Sequence, residues 1–214
     1  MKQKTTHNHN SRVTRGLAPL LLLIAFTTQA QNTDTTDQGV VINGITWATR
    51  NVDAPGTFAK TPESAGMFYQ WNRRTAWSAT DSIVTGWDNT FPEGAEWEKA
   101  NDPCPQNWRV PTKEELRTFF DEEKVITEWI TQNGINGRTF TNKATGHILF
   151  FPAVGYRTNY SGTLYSAGTY GSYWSSTQHD SFNACYLYFD SDNSRVDGII
   201  YARAYGFPVR CVKE

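Results

Sequence analysis

Charge is sparse in this chain, and neither sign dominates. Twenty Lys and Arg stand against 21 Asp and Glu, for a formal net charge of −1. No basic stripe or charge run interrupts that balance, so nucleic acid is not an expected partner. Long apolar runs are missing as well. The one sizeable run, Leu17 to Phe26, falls well short of the roughly 20 residues that a membrane-spanning helix needs. Histidine is scarce past residue 30, where only His147 and His179 occur. Cysteine is confined to Cys104, Cys185 and Cys211.

The short apolar run follows Lys2, Lys4, Arg12 and Arg15 and precedes Thr28-Gln29-Ala30. A basic region, a brief apolar core and a small-residue site make a secretory signal. The expected organisation is a signal peptide over 1–30, a flexible polar leader over 31–39 and one domain over 40–214. No membrane span is expected after signal cleavage. No cysteine follows the apolar run, so a lipid anchor is not expected. Export places the protein at the cell surface, in the periplasm or outside the cell. The remaining length suffices for one domain with a sizeable core.

Aromatic residues are what the chain has in quantity. Eight Trp and ten Tyr suit a β-rich core or a sugar-binding surface, and composition does not separate the two. Val40 to Trp47 predicts two strands around Asn43-Gly44. Residues 62–71 predict a short helix or irregular segment, and 72–103 a long packed loop. Thr112-Lys113-Glu114-Glu115 is a capping box, and Leu116, Phe119 and Phe120 continue it at helical spacing to about residue 122. A second helix is predicted over Thr127–Gln132, ended by Asn133-Gly134. Beyond it the pattern turns to β. Arg138–Asn142 and His147–Phe151 form a hairpin candidate, with Ile148–Phe151 apolar on both faces as for a central strand. Ser172–Thr177, Asn183–Asp190 and two runs between Asp197 and Val212 follow. Ser191 to Ser194 is a predicted turn.

Three cysteines in an exported chain leave one over. Cys104 in its Pro-flanked turn and Cys211 near the chain end favour a closure bridge, with 185–211 pairing or three thiols as alternatives. Cys185 shares a face with Leu187 and Phe189 by the period of two, as a buried inert thiol would.

The segments CPQNWRVPTKEEL, FFPAVGYR, GSYWSST, YLYF and YGFPVRCV, in this order, resemble the Fibrobacter succinogenes major paralogous domain. That resemblance implies a C-type-lectin-like α+β fold. Its parts are a twisted antiparallel sheet, one or two short helices and long packed loops, with the termini close together. It implies an exported bacterial protein and no particular reaction. The Ca²⁺-binding motifs of sugar-binding C-type lectins do not occur here. Asp190 to Ser194 begins like a Ca²⁺ loop, but Arg195 stands where an EF-hand needs Gly. The formylglycine-generating relatives need a reactive cysteine pair near the C-terminus, and Cys211 has no such neighbour. The expectation is therefore a protein that is not an enzyme and takes no cofactor or metal.

The best surface candidate is Tyr156 to Tyr170. Tyr with Ser, Gly and Asn makes a low-entropy contact surface, as in antibody loops. Arg157, Asn159, Tyr160, Tyr165 and Tyr170 are the predicted ligand contacts, for a glycan or a surface protein. The bland alternative has these tyrosines packing on their own sheet. Trp47, Trp71, Trp108 and Trp174 are expected in the core, and Arg109 and Arg210 in ion pairs or carbonyl clamps. Asp81-Ser82-Ile83 fits an Asp-Ser/Thr-apolar glycosylation pattern of some exported bacterial proteins. The leading class is a binding or adhesion module. A structural subunit of a surface assembly and an enzyme related to the formylglycine generators are the alternatives.

Overall fold

The computed structural model describes residues 1–3, 36–196, 198 and 200–214. The chain divides into the units Met1–Asn32 and Thr33–Glu214; the second is described here. The predicted signal segment, its cleavage point and the first half of the leader lie outside the described residues. The rest of the leader is not loose. The Asp37 carboxylate, 1% exposed beside Arg50, accepts from the Thr49 amide and hydroxyl at 2.9 Å each. The polar composition that predicted flexibility supplies a backbone anchor instead.

Among the described residues the fold is mostly antiparallel sheet with one short α-helix. In chain order come β1 (Val40–Ile42), β2 (Ile45–Trp47), β3 (Tyr69–Gln70), β4 (Trp108–Arg109) and α1 (Lys113–Arg117). Then follow β5 (Val125–Gln132), β6 (Ile135–Asn142), β7 (Ile148–Pro152), β8 (Tyr156–Arg157) and β9 (Leu164–Tyr165). The last are β10 (Gly171–Gln178), β11 (Asn183–Phe189), β12 (Ser194–Arg195), β13 (Ile200–Ala202), β14 (Gly206–Phe207) and β15 (Val212–Lys213). They pair as β1-β2-β15-β4, β3-β14-β8-β9, β5-β6-β7, and β10-β11-β12 with β13 also on β11.

The capping box forms as expected. Thr112 Oγ1 accepts from the Glu115 amide at 3.2 Å, and Glu115 Oε2 accepts from the Thr112 amide at 2.8 Å. The helix is shorter than its pattern. It passes at Thr118 into a 3₁₀ turn, Thr118–Phe120, where the Thr118 hydroxyl donates to the Glu115 carbonyl at 2.7 Å. Leu116 and Phe119 are buried by this tighter winding.

The predicted helix over Thr127–Gln132 is wrong. That stretch belongs to β5, which pairs with β6 from Val125↔Asn142 to Gln132↔Ile135. Asn133 and Gly134, at φ 49° and 82°, make a tight hairpin turn and not a helix end. Alternation is the signal that was under-weighted. Val125 is buried and Trp129 packs against the core, while Ile126 and Glu128 between them are exposed. The predicted hairpin onto β7 is present, but β7 pairs only with β6 and so lies at a sheet edge, not at its centre.

Sheet β10–β11 separates two apolar clusters. Trp174, Ala184 and Tyr186 face one, with Trp71, Trp97 and Phe207. Tyr173, Leu187 and Phe189 face the other, with Trp47, Phe119, Phe140 and Phe151. The four tryptophans expected in the core are all buried. Two of them also tie strands together: Trp71 Nε1 donates to the Ser175 carbonyl at 2.9 Å, and Trp174 Nε1 to the Tyr69 carbonyl at 2.8 Å. The end of the chain closes on its start. β15 lies between β2 and β4, and Cys104 is bonded to Cys211 across a sequence separation of 107. Cys185 is buried and lies outside that bridge. Arg210, fully buried, donates to Asn51 Oδ1 and the Ala48 carbonyl, and Arg109 forms a two-pronged pair with Glu115. Both have the structural roles expected of them.

Candidate functional site

Eight of the ten tyrosines gather at one side of the fold, seven of them at least partly exposed and Tyr186 buried, while Tyr69 and Tyr173 lie fully inside. The arrangement begins on β11, where the period of two sets Tyr186 and Tyr188 opposite Leu187 and Phe189. Tyr170, just before β10, meets Tyr188 at 5.6 Å between ring centres. Tyr186 meets Tyr201 of β13 at 5.5 Å. Tyr201 and Tyr205 stand edge to face at 4.3 Å. Both lie about 6 Å from Tyr156 of β8 (6.1 and 6.0 Å). Tyr156 in turn stacks with Tyr165 of β9 at 6.3 Å and 21°. Tyr160 lies close enough to Tyr205 to oppose its ionisation. Such ring pairs each contribute about 0.5–1.5 kcal/mol beyond burial.

Two buried arginines hold this surface from behind. Arg203 lies between Tyr201 and Tyr205, its guanidinium 4.2 Å over the Trp71 ring. It donates to the Gly94 carbonyl and to Gln178 Oε1, both at 2.8 Å. Its anchoring folds the chain sharply, with the Tyr205 amide returning to the Ala202 carbonyl at 2.9 Å, so that the two rings meet. Arg157 holds the other half. It donates to the carbonyls of Ser78 at 2.7 Å, Gly162 at 2.5 Å and Asp81 at 2.7 Å. Gly155 allows β9 to come close: a Cβ there would stand 2.1 Å from the Tyr165 carbonyl oxygen.

These positions sort the predicted contacts. Tyr160, Tyr165 and Tyr170 are 82%, 52% and 38% exposed and lie on the surface as expected. Arg157 does not: its guanidinium is buried and bound to carbonyls, so it orders the loop from below. Asn159 is half-buried, its carbonyl accepting from Trp87 Nε1 at 2.9 Å and its Oδ1 buried without a hydrogen-bond partner. Tyr186, Tyr188, Tyr201 and Tyr205 were missed. Placing Cys185 inward already required Tyr186 and Tyr188 to point the other way. The meeting of Tyr201 with Tyr156 had no local signal.

The surface is phenolic and almost uncharged. Burial raises the pKa of Tyr201 to about 12, helped by Tyr205 and Tyr156. Burial likewise pushes up Tyr186, Tyr188 and Tyr205. At neutral pH all therefore present hydroxyls that can donate and accept. Charge enters at one end, where Arg195 lies 5.7 Å over the Tyr188 ring and the Tyr188 hydroxyl donates to Asp190 Oδ2 at 2.5 Å. Burial opposes the Asp190 charge, but that bond and two turn amides hold its carboxyl below the usual range. The Asp190 to Asn193 segment is thus an ordinary hairpin turn. Among the described residues, no three His, Cys, Asp or Glu side chains are grouped to hold a metal.

The family model of the Fibrobacter succinogenes major domain matches residues 26–213. The chain belongs to that family. No curated protein and no solved structure matches it. The Fibrobacter succinogenes major domain here thus includes all eight tyrosines and both arginines behind them.

Proposed function

We propose that this protein is an exported, non-enzymatic binding module of the bacterial cell surface and that the tyrosine face contacts its ligand, a glycan. The carrying observation is the series of phenol rings in edge-to-face and stacked contact between Tyr170 and Tyr165. Ring faces suit the apolar faces of sugars, and the hydroxyls suit their polar edges. Pre-ordered rings lose little entropy on binding. The Cys104–Cys211 bridge fits an oxidising compartment. No helix among the described residues is long and apolar enough to cross a membrane. The C-type-lectin-like assignment is part of this reading, supported by the pairing of the last strand, β15, with β2 of the N-terminal hairpin.

The test is a glycan array followed by titration of the best neutral oligosaccharide. Alanine at Tyr160, Tyr165 and Tyr170 together should abolish measurable binding, and Tyr165→Ala alone should weaken it about tenfold, near 1.4 kcal/mol. The triple variant should stay folded and lose only the two ring pairs of Tyr165 and Tyr170, about 0.5–1.5 kcal/mol each. Undiminished binding by the folded triple variant would place the ligand elsewhere. The second reading, a structural subunit, rests on Ile126 and Ile148, 44% and 60% exposed and aligned across Thr141 on the outer sheet. Co-purification of a surface complex that Ile148→Ser disrupts would favour it.

A further inference from the structure

Three Asp-Ser dipeptides occur in the chain, at 81–82, 180–181 and 190–191, and the fold treats them differently. Asp180 Oδ1 accepts from the amides of Phe182 and Asn183, both at 2.8 Å. Asp190 Oδ1 accepts from those of Asp192 and Asn193 at 2.9 and 2.7 Å. Both carboxylates are thus occupied by their own turns, and the Ser191 hydroxyl is occupied by Asp192 at 3.2 Å. Asp81 and Ser82 differ. Both are exposed, and their side chains make no hydrogen bond or ion pair among the described residues. Ile83 follows, 70% exposed. The backbone beneath is nonetheless fixed, with the Asp81 carbonyl held by Arg157 at 2.7 Å and the Ser82 carbonyl by the Leu164 amide at 3.0 Å. An acidic, a hydroxyl and an apolar side chain are therefore presented together on an ordered loop, each open to a second protein.

We propose that Ser82 is an O-glycosylation acceptor, recognised through Asp81 and Ile83. The donor is a sugar activated by an anomeric phosphate or diphosphate. The Ser82 Oγ bonds to the anomeric carbon, the bond from that carbon to the phosphate oxygen breaks, and the hydroxyl proton passes to a base of the transferase. No redox change is involved. The attached sugar would stand beside β9, whose Leu164 amide is held by the Ser82 carbonyl.

The experiment compares the exported chain from its native cells with the same chain made in a cytoplasm lacking the transferase. The tryptic peptide 75–99 of the exported chain should carry a saccharide mass, located on Ser82 by electron-transfer fragmentation. Ser82→Ala and Asp81→Asn should remove it, Ser82→Thr should keep it, and Ser181→Ala should leave it unchanged. An unmodified Ser82 in the exported protein overturns the proposal, as does a saccharide that persists on this peptide in Ser82→Ala. Glycan binding by the tyrosine face is read separately, on exported Ser82→Ala protein, in which the Cys104–Cys211 bridge is intact.

Discussion

The two faces of β11 share a backbone and differ in almost everything else. Leu187 and Phe189 enter a closed apolar cluster with Trp47, Phe119 and Phe151, where side chains contribute by leaving water. Tyr186 and Tyr188 look the other way, toward rings supplied by β13, β8 and the segment before β10. The first face is filled from all sides. The second buries Ala184 and Tyr186 in a cluster of its own with Trp71 and Phe207 and grades at Tyr188, Tyr201 and Tyr205 into half-exposed rings. One strand can therefore secure the fold with alternate residues and present a contact surface with the others. Arg203 and Arg157 matter because they fix loops to the second face without entering it.

This contrast can be broken in graded ways. The largest effect should come from the bridge that closes the whole domain. Cys104→Ala releases a loop of 107 residues and should cost about 4–5 kcal/mol in the chain-entropy model, measured by urea unfolding. Tryptophan and tyrosine signals should shift together; a loss confined to one signal would show that the two faces unfold separately. Next, Leu187→Ala on the closed face should cost about 3 kcal/mol. Tyr188→Phe on the open face removes one hydroxyl from Asp190 and should cost about 1 kcal/mol. Equal costs would remove the distinction.

Alkaline pH separates the faces through an effect distributed over several tyrosines. The folded pKa of Tyr201 is raised to about 12, and the ordinary value is about 10. Between these values the native state holds more protons than the unfolded one. The stabilising contribution is then complete below about pH 10 and is lost as pH rises through about 12. Absorbance titration of phenolate should show Tyr201 of the folded protein ionising near pH 12, with melting temperature falling from about pH 10 upward. Thr112→Ala, which loses one half of the capping box and lies on neither face, should cost as little as Tyr188→Phe, about 1 kcal/mol. A larger loss would mean that α1 supports the closed face more than its single turn suggests.

Much of the scaffold was legible in the chain. The Asn43-Gly44 hairpin, the capping box at Thr112, the inward face of Cys185 and the partnership of Cys104 with Cys211 follow from local chemistry or from segments that resemble a family. The β5 strand was misread, although its hairpin turn and alternation were both present, because a six-residue window fits two periods at once. Arg157 was misplaced for a different reason. Its neighbours are those of an exposed loop, yet its partners, Ser78 and Asp81, lie 79 and 76 residues away.

The sequence by itself determined the periodicities, the turns, the cap and the supply of tyrosines, since these depend on residues within a few positions of one another. Which tyrosines meet was decided only by the tertiary structure. Tyr156, Tyr186 and Tyr201 come from three strands in two sheets, and their spacing depends on how those sheets pack and on where Arg203 folds the chain back. A contact between distant segments is a property of the closed fold, because only the burial of both cores sets the distance across it.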